Sequence, residues 1–462
     1  MIFPKNIKKT KIIFEDDKYK ISIEKLKYYL NIYKKKYSKK KKQLVFIKSD
    51  LSFGFLINYF LFLSLKYPLV ILDPKISKKQ LADNIKVFKP NFLLEPSKNK
   101  KRNFGFKLKI LSKLNHKFNP ELRLLISTSG STGKPKLVML SEKNLKSNTF
   151  AICDYLKLKS NDSTILNLPT NYSYGLSIIN THFSKGSKIL ILKKTIIDKY
   201  FWEKFVNEKI NTFYGVPETF DILKKIKIKK NNFSNLKFFA VAGGKIKKNT
   251  LNYFKNLSTK NKIDFFNMYG QTEASPRISY SQLKINKYNL NSIGKALKGG
   301  KISLLDEKGK KIKKINVVGE ILYSGPNVML GYANNYKDLN NKRTNKYKLY
   351  TNDIGYFDKY RNIILLGRNS RFTKIDSKRI YLDDIDYFLN KKNINSVSVD
   401  WKNNVFIFIN KKVNEKQIAN LIKKNFNLKL NQFKIRVLKN IPKTNNNKIN
   451  YKKLQEIAKT TN

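Results

Sequence analysis

The chain of 462 residues has a single cysteine, Cys153, which rules out a disulfide framework and a cysteine-based metal site within one chain. A reducing cytoplasm is the expected location. Acid is scarce as well: 32 Asp and Glu stand against 96 Lys and Arg, a formal charge of +64. Long apolar runs are missing too. The longest uncharged stretch, Leu51 to Leu65, falls short of the ~20 residues that span a bilayer. It reads as a buried helix followed, after Lys66, Tyr67 and Pro68, by a strand at Leu69 to Leu72. The opening residues, MIFPKNIKKTKIIFEDD, hold no apolar core behind their charges, so no secretory signal is expected there. No integral membrane segment is expected.

What the surplus charge implies depends on where it lies. A localised basic stripe would point to nucleic acid or an anionic membrane. Here Lys, Asn, Ile, Phe and Tyr recur alike through every region, as in a compositional bias of the whole sequence. The densest run, YKKKYSKKKKQ at Tyr33 to Gln43, is read as a solvated helix end and loop, with polyanion binding as the alternative. No nucleic-acid-binding motif accompanies it, and no nucleic-acid partner is expected. With 41% apolar residues, the length suffices for two or three domains and a substantial core.

Short apolar runs at Leu122 to Ile126, Thr164 to Leu168, Lys188 to Leu192, Thr212 to Tyr214 and Phe238 to Val241 alternate with helical patterns at Lys143 to Leu156, Lys199 to Glu208 and Pro217 to Lys225. That alternation predicts α/β layers with buried, mainly parallel strands in a large, multi-layer N-terminal domain, residues 1–367. After Gly367 and Arg368 the elements shorten: helices at Leu382 to Asn390 and Asn414 to Phe426, and strands near Val397 to Val399, Val405 to Ile409 and Lys434 to Leu438. Residues 368–462 are therefore expected to form a small α+β domain.

One segment stands out for its chemistry. LISTSGSTGKPK, Leu125 to Lys136, runs from a strand into a loop of small and hydroxyl residues. Ser129, Gly130, Ser131, Thr132 and Gly133 can turn successive N–H groups toward one point, and Lys134 and Lys136 add positive charge, a composition suited to phosphate. It is not a Walker A motif, because Thr128 stands where the first Gly belongs and Pro135 follows the Gly-Lys pair. Further on, Asn267 to Glu273 (NMYGQTE) follows a strand at Ile263 to Phe266, and ligands of open α/β sheets gather at such strand ends. Taken alone, Tyr269 reads as a packing aromatic and Glu273 as a solvated acid. Asp353, in Tyr350 to Tyr356, could accept both hydroxyls of a ribose or merely cap a turn. Lys448 follows a polar turn near the C-terminus.

The ordered set resembles the ANL superfamily of adenylate-forming enzymes, which includes acyl-CoA synthetases. The matching segments are STSGSTGKPK, VPETF at Val216, AGGK at Ala242, YGQTEAS at Tyr269, NSIGKAL at Asn291, GEILYSGPNVMLGY at Gly319, TNDIGYFD, GRNSRFTKIDSKRI and PKTNNNKI. They cover nearly the whole chain. The resemblance implies that a carboxylic acid, fatty or aromatic, is joined to AMP from ATP with release of pyrophosphate and then passed to a thiol of CoA or of a separate carrier protein. It implies that Thr128 to Lys134 and Lys136 grip the β- and γ-phosphates, and that Thr272 and Glu273 bind the α-phosphate and Mg²⁺. Gly243, Gly244, Tyr269, Gly270 and Gln271 would surround adenine, Asp353 and Arg368 would hold the ribose, and Lys448 would bridge carboxylate and α-phosphate. The small domain would be a mobile lid that brings in Lys374 to Arg379 for the thiol step.

The chain departs from that pattern at Asn352, Ser377 and Asn447, each standing where the family has glycine. Asn tolerates left-handed backbone, so 352 and 447 are mild changes. A side chain at Ser377 could hinder thiol transfer. Amino-acid-activating relatives carry an aspartate in the segment that here reads Leu168 to Gly175. None is present, which favours an acid without an amine in a pocket lined by Tyr172, Tyr174 and Tyr214. Activation of an amino acid for a carrier is the nearer alternative, and a non-catalytic polyanion-binding protein the remote one. Only 14 residues follow Lys448, so no fused carrier domain is expected.

Overall fold

The computed structural model describes residues 4–460 except 5–6, 18, 38–40, 98–104, 128–135, 227–232, 284–291, 344, 369–370, 377, 393, 402–403, 411–413, 427 and 444–448. The chain forms two compact units: residues up to Ile302 with Tyr323–Leu349, and Ser303–Leu322 with Tyr350–Asn462.

The first unit is an α/β body with two sheets. In one, the parallel strands Leu122–Ser127, Leu69–Leu72, Val45–Lys48 and Phe92–Pro96 are flanked by antiparallel neighbours, Leu137–Ser141 and Gly331–Ala333 on one side and Phe106–Ile110 on the other. In the other, a parallel core of Asp264–Gly270, Phe238–Val241, Thr212–Gly215, Ser163–Leu166, Lys188–Ile191 and Ile12–Glu15 continues antiparallel through Arg277–Gln282 and Ser292–Ala296. Continuous apolar runs such as LVIL and FFAV form these strands because both faces are covered.

Helices begin where the sequence supplies caps. Ser52 accepts from the Phe55 N–H ahead of Phe53–Ser64, the buried helix expected within Leu51 to Leu65. Pro217 opens Pro217–Lys225. Ser141 and Asn144 form a reciprocal capping box at the start of Glu142–Tyr155. No helix among the described residues is long and apolar enough to cross a membrane.

The second unit has strands in the order Lys311–Ile312, Lys301–Leu305, Gly319–Ser324, Lys348–Phe357 and Ile363–Arg368, the first two and the last two pairing antiparallel. After it come the hairpin Phe372–Ile375 with Lys378–Tyr381, and a three-stranded sheet of Ser396–Trp401, Asn404–Ile409 and Phe433–Val437. The helices Leu382–Lys391, Glu415–Phe426 and Tyr451–Thr460 accompany that sheet.

Aromatic packing is dense in the first unit. Phe239 is fully buried, with the rings of Phe233 at 5.2 Å, Phe254 at 5.3 Å, Phe220 at 6.0 Å and Phe213 at 6.1 Å, mostly edge to face. Phe239→Ala should cost ~3–5 kcal/mol and lower the urea midpoint of the unit, read by tyrosine and tryptophan fluorescence.

Candidate functional site

Thr272 and Glu273 lie on a single 3-10 turn, Thr272–Ala274, directly after the strand Asp264–Gly270. Three features fix that turn. Gly270 lies so close to the returning chain that a Cβ there would sit 2.1 Å from the Pro276 carbonyl oxygen, which demands glycine. The Gln271 N–H donates to that same oxygen at 2.9 Å. Buried Asn327 donates from Nδ2 to the Ala274 and Arg277 carbonyls at 2.6 and 2.8 Å and accepts from the Tyr323 hydroxyl at 2.7 Å.

The half-buried Glu273 carboxylate faces Tyr332, whose hydroxyl donates to Oε1 at 2.8 Å. Burial, and then the Glu273 charge, push the Tyr332 phenol well above its ordinary range, so it stays a donor. On the ring of Tyr332 sits the Lys136 ammonium, 3.6 Å from the centroid. Lys136 immediately precedes Leu137–Ser141, which pairs with both Leu122–Ser127 and Gly331–Ala333, with Tyr332 opposite Val138. The sheet thus brings Lys136, Tyr332 and Glu273 together. No basic side chain among the described residues forms an ion pair with Glu273, in a chain of 96 basic and 32 acidic residues.

Beside Glu273, the Thr272 hydroxyl lies 3.2 Å from that of Ser173, the first residue of the helix Ser173–Lys185. Tyr174 follows. Its hydroxyl donates to the Ala240 carbonyl at 3.0 Å, and its ring meets Tyr214 edge-on at 6.4 Å. Tyr214 is buried within the core, and its hydroxyl is 3.1 Å from His182 Nε2. Tyr172 is half-buried, and its hydroxyl is enclosed without a hydrogen-bond partner; burial, with Asp73 adding to it, pushes this phenol up to about 12. Asp73 has both oxygens engaged, by the Lys75 N–H at 2.7 Å and Asn171 Nδ2 at 3.2 Å.

Gly243 and Gly244 are exposed just past the strand Phe238–Val241, with Gly243 at φ +93. Tyr269 is half-buried against the small core of Ala274, Ile278, Tyr323 and Val328. In the second unit, Asp353 and Arg368 are cross-strand partners, with Nε 3.5 Å from Oδ1; Asp353 is buried and Arg368 exposed. Asn352, at φ 57, takes the left-handed backbone expected of it. Thr128, Ser129, Gly130, Ser131, Thr132, Gly133, Lys134, Ser377, Asn447 and Lys448 lie outside the described residues.

Asn327, Tyr332, Ser173 and His182 were not singled out by sequence reasoning. Asn327 and Tyr332 fall inside the segment GEILYSGPNVMLGY, which offered a signal of position but not of role. His182 is fully buried, and burial pushes its imidazole down to about 3, so the folded state holds it neutral. The unfolded chain takes up that proton near pH 6.5, so stability is complete above that pH and is lost as pH falls toward 3. Between pH 7 and 5 this one group should remove ~2 kcal/mol of unfolding free energy. Urea titrations should show a shallower pH slope over that interval in His182→Gln than in the unaltered chain.

The AMP-binding enzyme family profile matches residues 40–333. The oxalate–CoA ligase of Saccharomyces cerevisiae is 28% identical over 271 residues, covering 58% of this chain and 48% of that protein. The D-alanine–D-alanyl carrier protein ligase of Lactiplantibacillus plantarum is 28% identical over 277 residues, covering 57% and 54%. The chain therefore spans about half the length of these curated relatives. The O-succinylbenzoate coenzyme A synthetase of Bacillus subtilis in complex with AMP has the same fold, with TM-score 0.78 and 18% identity over 96% of this chain and 95% of that one. The matched profile, together with the motif order from Leu125 onward, places the chain in the AMP-binding enzyme family, within the ANL superfamily of adenylate-forming enzymes.

Proposed function

We propose that the protein uses ATP to activate a carboxylic acid that lacks an α-amine, with an aliphatic or aromatic skeleton, and then passes the acyl group to a thiol of CoA or of a separate carrier protein. In the first step an acid oxygen forms a bond to the α-phosphorus while the bond to the bridging oxygen breaks, releasing pyrophosphate. In the second the thiol gives up its proton, its sulfur bonds the acyl carbon, and AMP leaves. The observation that carries this reading is Glu273: an acid without an ion pair among the described residues, held by a phenol, beside the Thr272 hydroxyl and the Lys136 ammonium.

The donor set suits Mg²⁺, a hard cation usually held by one or two carboxylates together with substrate phosphates. Among the described residues no cluster of three acidic, His or Cys side chains offers an all-protein cage. Glu273 would hold the ion and Thr272 the α-phosphate; bound there, Mg²⁺ would offset phosphate charge. The segment from Thr128 to Lys136 would take the β- and γ-phosphates. Tyr269, Gly270 and Gln271 would frame adenine with Gly243 and Gly244. Asp353 would accept the ribose hydroxyls with Arg368 beside it. Tyr174 would wall the acid site, with Tyr172 at its edge and Tyr214 behind. Lys448 would neutralise the carboxylate and α-phosphate as the two anions approach. An adenylating body, 1–367, and a moving lid, 368–462, complete the scheme, which would operate in the cytoplasm.

The absence of an acid between Leu168 and Gly175 supports a substrate without an amine. Likeness to a D-alanine-activating ligase keeps activation of an amino acid as the second reading. ATP–pyrophosphate exchange over a panel of acids decides between them: exchange only with amino acids favours the second, and exchange with none defeats both. Lys448→Ala should lower acyl-AMP formation ~10²–10³-fold or more while nucleotide binding persists. Unimpaired adenylation in that variant would remove its assigned role.

A further inference from the structure

Arg277, four residues beyond Glu273, is built into the first unit in an unusual way. Its main chain is clamped from several sides. Asn148 Nδ2 donates to its carbonyl at 2.9 Å, Asn148 Oδ1 accepts from its N–H at 3.3 Å, and Asn327 donates to the same carbonyl at 2.8 Å. Its side chain is the opposite case. The residue is 2% exposed and its guanidinium meets the neutral Tyr155 hydroxyl, yet Nε has no hydrogen-bond partner and no Asp or Glu among the described residues lies within ion-pairing distance. The guanidinium rests over the ring of Tyr174, 5.0 Å from the centroid.

A guanidinium cannot shed its charge by losing a proton, so burial without a counter-ion leaves the charge uncompensated. The shortage of acids does not account for it, because other enclosed arginines meet carboxylates or carbonyls, although Nε of Arg123 and one Nη of Arg343 also lack a hydrogen-bond partner. Arg371 pairs with Asp383 and Asp386, and Arg343 donates to the Val328 and Met329 carbonyls. The missing anion is therefore expected from a ligand. Position says which part of it. Tyr174 follows Ser173, whose hydroxyl meets Thr272, so the guanidinium over Tyr174 packs one residue along the helix from the Thr272 contact. Lys136, by contrast, stands with Tyr332 and Glu273. A planar fork of donors fits a carboxylate through two parallel bonds.

We propose that Arg277 is a specificity-determining residue that binds a second, non-reacting carboxylate, so that the preferred substrates are dicarboxylic acids. This deepens the function proposed above and rests on it. The test is pyrophosphate exchange by the full chain with matched pairs: butanoate and succinate, hexanoate and adipate, benzoate and each phthalate isomer. In at least one pair the diacid should win in kcat/KM by about tenfold or more, a site built for a polar group rejecting the analogue that lacks it. Arg277→Met should raise KM for the diacid more than for the matched monoacid or for ATP and so erase the preference, while Arg277→Lys should retain part of it. The comparison in the unaltered chain needs no variant to fold. Equal use of both members of every pair overturns the proposal, as does an Arg277→Met effect on ATP instead, which would assign the guanidinium to the nucleotide. Exchange with monoacids alone defeats only the role of Arg277, whereas exchange with no acid defeats the parent function as well.

Discussion

A single buried amide, that of Asn327, holds the turn on which the candidate site is built. Between Gly270 and Arg277 the chain reverses too sharply for ladder pairing, and the Ala274 carbonyl would be buried without a partner. Asn327 supplies the missing donors at 2.6 and 2.8 Å and is itself fixed by Tyr323 at 2.7 Å and by the Ser275 hydroxyl, which donates to its carbonyl at 2.8 Å. The segment that carries Asn327 is fastened in turn by Asn144, whose Nδ2 donates to the Pro326 and Val328 carbonyls at 2.7 Å each. Each buried polar group left unpaired would cost ~1–3 kcal/mol. Asn144 and Asn148 stand one helical turn apart on Glu142–Tyr155, so one face of that helix secures both the Asn327 segment and Arg277.

Charge in this molecule is best understood through its acids. Glu15 pairs with Lys20 and Lys188, Glu95 with Lys48 and Lys109, and Glu142 with Arg123 and Lys146. These pairs tie strands and helix ends together, and where exposed they contribute little, ~0–1 kcal/mol. Among the described residues Glu273 forms no ion pair and the buried Arg277 has no carboxylate partner, and the two stand four residues apart. For Arg277 the burial of an unpaired charge is costly, and a partner of opposite sign would relieve it.

Much of the architecture was legible in the sequence because the information was local. Buried parallel strands read as unbroken apolar runs, and Phe238–Val241 has the limits expected of it. Pro217–Lys225 likewise begins and ends as the helical pattern predicted. Motif order gave the neighbourhood of Glu273 without its geometry. Asn327, Asn148, His182 and Arg277 were not legible, since their meaning comes from partners far along the chain, such as Asn148 with Arg277 across 129 positions. In a sequence so rich in Asn and Lys, nothing local distinguishes a buried asparagine that satisfies a turn from a solvated one. Tyr214 shows the converse. As an aromatic near the site it reads as a pocket residue, and nothing in the sequence signals that its hydroxyl lies 3.1 Å from His182 Nε2.

The same compositional drift meets a physical filter at the family's glycines. Asn352 stands in the place of glycine, is exposed, and adopts φ 57, a conformation that asparagine enters more readily than most residues. The demand there is on backbone torsion alone, and asparagine meets it while the next N–H, that of Asp353, is held by the Thr351 hydroxyl at 3.2 Å. Gly270 presents a different demand. Any side chain there would collide with the Pro276 carbonyl, and no rotamer relieves a clash with backbone. Torsion can be satisfied by a second residue type, whereas contact cannot, which is why asparagine occupies the first position and glycine persists at the second.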